Sequence, residues 1–324
     1  MSAKNRAVLP ESGLVENNCV CGETEGLIEM QFEERYIRLI DDVLAQYEGF
    51  DLSVSQGTAE DAKSGPPSRY LASHRHEYLR TIQDIHRHFA RDLESGKDVR
   101  ILEIGTFFGA ASIALRRLGF SVTASDVPEY IEMPEQHQRF SHEGISTHAM
   151  RLEDYVIDFP DETFDAVVMC EVLEHLNFNP LPLIKEINRV LRTGGLFYLA
   201  LPNMASIYNR RRLLFGKSIG VSVQGFFDQL DPGRPEIANG HWREYTAQDI
   251  REMLLPLGFR INSHYFFSLG ECLPATSMRK RLARAFYASF PQMKENQTVL
   301  ATKNSRAGIS FSIPKTVHPT LGTL

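Results

Sequence analysis

Short apolar runs alternate with amphipathic stretches through the middle of the chain. The run VRILEIG at 99–105 ends in a glycine, and the helical pattern ASIALRRLG follows it. Apolar runs of this length, bounded by turn residues, are typical of strands buried on both faces of a parallel sheet. Similar runs are FSVTASD at 120–126, FDAVVMC at 164–170, LFYLALPN at 196–203, FRINSHYFF at 259–267 and QTVLATK at 297–303. The alternation predicts an open, doubly wound α/β sheet.

Helical periodicity predicts several helices around these strands. Two precede the first strand, over about 29–47 and 69–93. PLIKEINRVLRTGG predicts an amphipathic helix that closes at a glycine pair, and TAQDIREMLLPLGF predicts another. Residues 1–28 are polar and aperiodic, which favours a flexible arm. We therefore expect an arm and helical extension over 1–65, a main domain over 66–303 and a loose tail over 304–324.

One long segment interrupts the alternation. About forty residues separate the strand that ends at Asn203 from the helix that begins near Thr246. Loops this long in compact domains are usually lids or binding insertions, so we expect a lid over about 204–245. Its arginines suit a phosphate or carboxylate and its aromatics suit a sugar or ring, although a solvated helix face is the alternative. These residues are Arg210, Arg211, Arg212, Lys217, Arg234, Phe215, Phe226 and Phe227.

Composition narrows the class of protein. The 324 residues are 43% hydrophobic and carry a formal charge of −6, which argues against nucleic acid as a partner. The sequence has no apolar run of about 18 residues and its first residues lack a secretory pattern, so we expect a cytoplasmic protein without a membrane span. Four cysteines are too few for a disulfide framework. Cys19 and Cys21 are expected to be free thiols, with half of a metal site as the alternative.

Chemistry-bearing residues follow the first two strands. LEIGTFFGAASIAL places Glu103 at a strand end, Gly105 in the turn and Gly109 at the start of the next helix. Glycines at these positions let a ligand lie against the backbone. Asp126 ends the next strand, where a carboxylate can accept both ribose hydroxyls of a nucleoside. The G-x-G-x-x-G pattern of a dinucleotide dehydrogenase is absent, which argues against a dehydrogenase or epimerase.

Five motifs occur in an informative order. They are LEIGTFFGA, TASD, FDAVVMCEVLEHL, RVLRTGGLFYLALPN and HWREYTAQDIREMLLPLGF. Over roughly residues 70–303, this order resembles the class I S-adenosylmethionine-dependent methyltransferases. The resemblance implies a mostly parallel, seven-stranded, Rossmann-like sheet. Phe107 stands where the family usually has a glycine, which implies a narrower pocket at the methionine end of the cofactor.

The resemblance also implies a set of cofactor-binding residues. Glu103 and Gly105, with Thr106 and Gly109, would lie at the methionine part of S-adenosylmethionine, and Asp126 would hold the ribose. The other expected contacts are Glu153 or Asp154 near the adenine amine and Cys170 with Glu171 at the end of the fourth strand. A helix before the first strand often covers the cofactor in such enzymes, which makes His74, His76 and Tyr78 further candidates.

The segment CEVLEHL carries a second candidate site. Glu171, Glu174 and His175 have i, i+3, i+4 spacing, so their side chains can share one side of a helical turn. With His241, they resemble the metal sites of ubiquinone-pathway and small-RNA O-methyltransferases, and the donors suit Mg²⁺ or Mn²⁺. The alternatives are a metal-free site, with Glu171, His175 and His241 as catalytic or pocket residues, and a purely structural role.

These observations predict a methyltransferase that acts on oxygen. H-x-R-x-Y-T after a lid resembles methyltransferases of glycan and natural-product pathways, which implies a sugar or small hydroxylated metabolite as substrate. The alternatives are a C- or N-methyltransferase of a small molecule and an inactive, methyltransferase-like binding protein. A homodimer is left open, since residues 1–65 suit either a substrate cover or a dimer arm.

Overall fold

The computed structural model describes residues 32–47, 71–221, 223–224, 227, 240–268 and 277–311. Predictions for the arm at 1–28, for Cys19 and Cys21, and for Phe226 and Arg234 lie outside these residues. The two predicted N-terminal helices are confirmed as α1 (Glu34–Ala45) and α2 (Arg75–Glu94). Among the described helices, none combines the length and apolarity needed to cross a bilayer.

Seven strands form one sheet, as the sequence predicts. They are β1 (Arg100–Ile104), β2 (Ser121–Asp126), β3 (Ser146–Ala149), β4 (Phe164–Cys170), β5 (Leu191–Pro202), β6 (Phe259–Phe267) and β7 (Asn296–Lys303). Their order is β3-β2-β1-β4-β5-β7-β6, and only β7 runs antiparallel to its neighbours. The mostly parallel, doubly wound α/β class is therefore confirmed.

Helices connect the strands on both faces of this sheet. They are α3 (Ala110–Arg117), α4 (Pro128–Ile131), α5 (Pro134–Glu143), α6 (Leu181–Val190), α7 (Ile207–Leu214), α8 (Ala247–Leu254) and α9 (Met278–Ser289). Sequence periodicity did not reveal β3, because its residues STHA are mostly polar and the strand lies at the sheet edge. The sequence analysis also missed α9, although Met278, Leu282 and Phe286 recur there at four-residue spacing.

Alternate residues of each central strand enter two separate cores. In β4, Ala166 and Val168 pack on the side of α1, α2 and α3, whereas Val167 and Met169 pack on the side of α6 and α8. A strand with both faces covered has apolar residues at every position, as FDAVVMC does. The continuous apolar runs therefore predicted the central strands well.

Helix α6 ends earlier than its sequence predicts. The expected end was the glycine pair at 194–195, but the helix stops at Val190 and Leu191 already begins β5. Leu191 pairs with Phe164, and its carbonyl accepts a hydrogen bond from the buried Lys303 Nζ at 2.6 Å. The strand pairing and this hydrogen bond replace the contacts that a further helical turn would have made.

The extensions at both ends are tied to the domain. Tyr47, directly after α1, is fully buried and its hydroxyl donates to the carbonyl of Phe108 in the β1–α3 turn. Asn304 and Ser305 donate their backbone N–H groups to the Gly258 carbonyl at 2.8 and 3.1 Å. The first residues of the predicted loose tail are thus held by backbone hydrogen bonds.

Gly109 is a position where a small side chain should be costly. Its φ is +81°, and an added Cβ would lie 2.2 Å from the ring of the buried Phe140. Gly109→Ala is expected to lower the free energy of unfolding by about 2–4 kcal/mol, from backbone strain plus overlap. Chemical denaturation of the purified protein measures this change.

The matched control is Gly194→Ala. Gly194 has nearly the same φ, +80°, but nothing lies within 4 Å of its added Cβ. It should therefore show only the backbone strain, about 1 kcal/mol. Equal losses for the two variants would contradict the overlap with Phe140.

Candidate functional site

The turn between β1 and α3 is built from left-handed backbone. Gly105 and Gly109 have φ values of +74° and +81°. A Cβ on Gly105 would lie 2.2 Å from Cγ2 of Val172, so the turn also requires glycine for space. The predicted role of both glycines in a tight turn therefore has a direct geometric basis.

Phe107 takes the left-handed conformation where a glycine was expected. Its φ is +51°, and its ring contacts those of Phe108 and Tyr130, with centroids 3.9 and 5.3 Å away. Its carbonyl accepts from Gln136 Nε2 at 3.0 Å. Aromatic packing and this hydrogen bond offset the cost of a positive φ in a residue with a side chain.

Asp126 ties this turn to the end of β2. Its two carboxylate oxygens accept the backbone N–H groups of Phe107 at 2.7 Å and Val127 at 2.8 Å. Burial nevertheless raises the pKa of Asp126 to about 6, because these bonds offset only part of the cost of desolvation.

Glu103 lies at the same edge of the sheet, at the end of β1. It is almost fully buried and accepts hydrogen bonds from the hydroxyls of Thr106, at 3.2 Å, and Ser112. Burial raises the pKa of Glu103 to about 7. The structure therefore brings Glu103, Thr106 and Asp126 together, as the sequence analysis expected.

The other predicted cofactor residues have different environments. Glu153 and Asp154 lie exposed on the short 3₁₀ turn that follows β3. The Cys170 thiol lies 3.7 Å from Thr81 Oγ1, and burial raises the pKa of the thiol well above its ordinary value.

The start of α2 carries a second group of candidates. Burial raises the pKa of Glu77 to about 7, and His74 Nε2 lies 3.9 Å from the Glu77 carboxylate. His76 and Tyr78 are partly buried on the same helix.

CEVLEHL does not form the α-helical turn that its spacing suggested. Glu171 has a φ of +53° at the end of β4, and a 3₁₀ turn spans only Leu173–His175. Glu171 thus precedes the turn that carries Glu174 and His175. The backbone at the end of β4, rather than a helix, therefore determines the orientation of Glu171.

Glu171 and Glu174 place two carboxyl groups next to each other, and Glu171 is partly exposed. Glu171 Oε1 and both carboxylate oxygens of Glu174 are buried without a hydrogen-bond partner among the described residues, and burial raises the pKa of Glu171 to about 8 and that of Glu174 well above its usual range. Glu174 is 0% exposed. Two carboxylates this close cannot both ionise in a low-dielectric site, so at least one keeps its proton at neutral pH.

Two imidazoles face each other beside this pair. The rings of His175 and His241 lie 5.0 Å apart in an edge-to-face arrangement. His175 Nδ1 lies 3.3 Å from the Gly240 carbonyl, and His241 Nδ1 lies 3.1 Å from the Glu244 carboxylate. If both Nδ1 atoms carry the proton that these acceptors favour, both Nε2 atoms keep a free lone pair.

The segment that carries His241 is fixed from two directions. The backbone N–H groups of Trp242 and Arg243 both donate to the Glu174 carbonyl, at 2.8 and 3.3 Å. Asn209 Nδ2, on α7, donates to the second oxygen of Glu244 at 2.6 Å. Sequence reasoning missed Asn209 and Glu244; the available signal was the i, i+3 spacing of His241 and Glu244 at the end of the predicted lid.

The described residues contain a group of three potential metal ligands. One ligand atom from each of Glu174, His175 and His241 lies within 4.8 Å of the other two. These are three of the four predicted ligands, and Glu171 lies outside the group. Two imidazoles and one carboxylate suit Mn²⁺ or Zn²⁺ better than Mg²⁺, which prefers oxygen ligands.

Glu103 predicts a pH-dependent stability for the cofactor-free protein. The pKa of Glu103 in the folded protein, about 7, exceeds its ordinary value of 4.5. Its contribution to the free energy of unfolding is therefore fully present below pH 4.5 and is lost as the pH rises through 7. The loss at high pH is on the order of 3 kcal/mol. Glu103→Gln keeps an acceptor for Ser112 and Thr106 but cannot ionise, so its melting temperature should fall less between about pH 5 and 8. Parallel curves for the two proteins would contradict a buried, neutral Glu103.

Known proteins match different parts of the chain. A profile of the family described as "Methyltransferase domain" matches residues 71–264. The ubiquinone biosynthesis O-methyltransferase of Xanthomonas campestris is 34% identical over 105 residues, which cover 32% of this chain and 43% of that protein. The enzyme of the same name from Parvibaculum lavamentivorans is 31% identical over 115 residues, which cover 35% and 44%. The chain therefore spans less than half the length of these relatives.

Solved structures include similar chains as well. A SAM-dependent methyltransferase from Methanosarcina mazei aligns with a TM-score of 0.45 and 21% identity, covering 64% of this chain and 92% of that one. The family profile, by contrast, takes up more than half of the chain and includes the strand-end residues described above. The protein therefore belongs to the methyltransferase-domain family.

Proposed function

We propose that this methyltransferase transfers a methyl group from S-adenosylmethionine to a hydroxyl of a sugar or small hydroxylated metabolite. The observation that carries the proposal is the pairing of a half-exposed imidazole, His241, with the Glu244 carboxylate at 3.1 Å. A hydroxyl is a weak nucleophile until it loses its proton, and a carboxylate-oriented imidazole is suited to accept that proton.

The carboxyl edge of the sheet supplies the cofactor site. Glu103 and Asp126 would face the methionine and ribose parts of the cofactor, with Gly105, Thr106 and Gly109 along the turn. S-Adenosylmethionine carries positive charge on its sulfonium and amino groups. Buried carboxyl groups with raised pKa values lack compensating charge, so a cationic ligand at this edge would favour their ionised forms.

His241 is our candidate general base, and Glu244 is its positioning residue. The acceptor O–H would give its proton to Nε2 of His241 while the oxygen attacks the methyl carbon. The carbon–sulfur bond then breaks, and its electron pair stays on sulfur as S-adenosylhomocysteine. The proton on His241 afterwards passes to water.

His175 is less suited to be the base. Burial and the neighbouring His241 lower the pKa of His175 to about 4, so its imidazole is neutral at pH 7 and holds a proton weakly. We propose that it lines the acceptor pocket instead. Glu171, at the end of β4, would separate this pocket from the cofactor, and Glu153 or Asp154 would approach the adenine.

A divalent cation is a second candidate for activating the hydroxyl. The convergence of Glu174, His175 and His241 within 4.8 Å favours it, and both histidines have Nδ1 near an oxygen acceptor, as metal-binding histidines commonly do. These three residues would hold the ion, which would lower the pKa of a bound hydroxyl. The donor set favours Mn²⁺ over Mg²⁺.

The relatives support oxygen as the accepting atom. They are named as O-methyltransferases of ubiquinone biosynthesis, and the alignment covers less than half of each. A C- or N-methyltransferase stays an alternative, because these enzymes share the sheet and differ at the acceptor side.

Replacing His241 tests this proposal. Wild-type protein should form S-adenosylhomocysteine in the presence of catechol-type or sugar hydroxyl acceptors. His241→Gln should lower kcat by about a hundredfold to ten-thousandfold and leave cofactor affinity nearly unchanged, because only the proton acceptor is lost. Glu244→Gln should give a smaller loss of kcat.

The control is His142→Gln, an exposed histidine on α5 that should leave kcat unchanged. Wild-type activity that disappears after chelation and returns with Mn²⁺ would favour the cation over the metal-free base. Full activity of His241→Gln, or methylation of amine acceptors alone, would contradict the proposal.

A further inference from the structure

Helix α9 exposes apolar side chains to solvent. Met278 and Leu282 are 69% and 64% exposed. Phe286 and Phe290 follow at the same four-residue spacing and are 38% and 46% exposed. Residues four apart lie on one side of a helix, so Met278, Leu282 and Phe286 form a stripe, and the ring of Phe290, directly after the helix, lies 5.3 Å from that of Phe286. A helix packed on the core would bury such a stripe, whereas α9 has no buried residue.

Basic residues accompany this stripe. Met278–Ser289 contains Arg279, Lys280, Arg281 and Arg284 and has no aspartate or glutamate. The whole chain, by contrast, carries a formal charge of −6. The positive charge is therefore concentrated locally, where it can attract an anionic surface.

Helix α7 repeats the combination. Leu214 and Phe215 at its end are 80% and 70% exposed, and three arginines precede them at 210–212. The segment Ile207–Leu214 also lacks acidic residues. Two helices of the described chain thus combine exposed apolar side chains with positive charge.

Helix α7 begins, and helix α9 ends, near one corner of the sheet. Asn203, directly after β5, donates from Nδ2 to the carbonyls of Gln292 and Lys294, which follow α9. Its own carbonyl accepts from Ser206, the N-cap residue of α7. This corner is the carboxyl end of β5, on the same edge of the sheet as the candidate site.

We propose that α7 and α9 form a docking surface for an anionic phospholipid bilayer. Helices with Lys and Arg beside Leu, Met and Phe lie in the membrane interface, where apolar groups enter the acyl boundary and cations meet lipid phosphates. Charge complementarity selects this occupant over a second copy, because two arginine-rich surfaces of one chain would repel each other. The proposal goes beyond methyl transfer and does not depend on the identity of the base.

Vesicle flotation with the full chain tests the docking surface. The protein should float with vesicles of phosphatidylcholine and phosphatidylglycerol but not with phosphatidylcholine alone, and added salt should weaken binding. Leu282→Glu, and separately Arg279→Glu with Arg281→Glu, should each lower affinity for the anionic vesicles by about tenfold or more.

The matched control is Leu255→Glu, which alters an exposed leucine outside both helices and should leave vesicle binding unchanged. Affinity for S-adenosylhomocysteine reports whether each variant is folded. The proposal is overturned if wild-type protein does not bind anionic vesicles, or if folded variants of α9 bind as well as the control. Variants that only turn a dimer into a monomer would assign the surface to a second copy instead.

Discussion

Burial of carboxyl groups at one edge of the sheet is the constraint on which the site depends. Glu103 ends β1 and Asp126 ends β2, where the carboxyl ends of parallel strands meet. Desolvation raises the pKa of both groups, to about 7 and about 6. Burying two carboxyl groups without a positive charge nearby lowers the free energy of unfolding, and the cationic cofactor that we propose for this edge would offset that loss.

The rest of the structure holds this edge in shape. The Tyr47 hydroxyl reaches the Phe108 carbonyl from the N-terminal helix, and Asp126 accepts the Phe107 amide. On the acceptor side, the Glu174 carbonyl fixes Trp242 and thereby the adjacent His241. The ends of β1 and β2 thus position Glu103 and Asp126, whereas a segment distant in sequence positions His241.

The sequence was most informative where local pattern and tertiary environment agree. Runs such as FDAVVMC revealed the central strands because burial on both faces requires apolar residues throughout. Polar β3 and exposed α9 lacked that pattern and were not found. The i, i+3, i+4 spacing of CEVLEHL suggested a helical face, but the strand end at Glu171 altered its geometry. Glu244 contacts Asn209 in addition to His241 because the fold brings residues 35 positions apart together, and such contacts leave no periodic pattern in the sequence.

Proton release on cofactor binding tests the central claim most directly. If S-adenosylmethionine binds beside Glu103 and Asp126, its positive charge lowers their pKa values and drives protons into solution. Calorimetric titration at about pH 6.5, below the usual pKa of an amino group, in two buffers of different ionisation enthalpy measures this number of protons. The account predicts net proton release in the wild-type protein and less release in Glu103→Gln. Binding heats that are independent of the buffer, or net proton uptake, would contradict it.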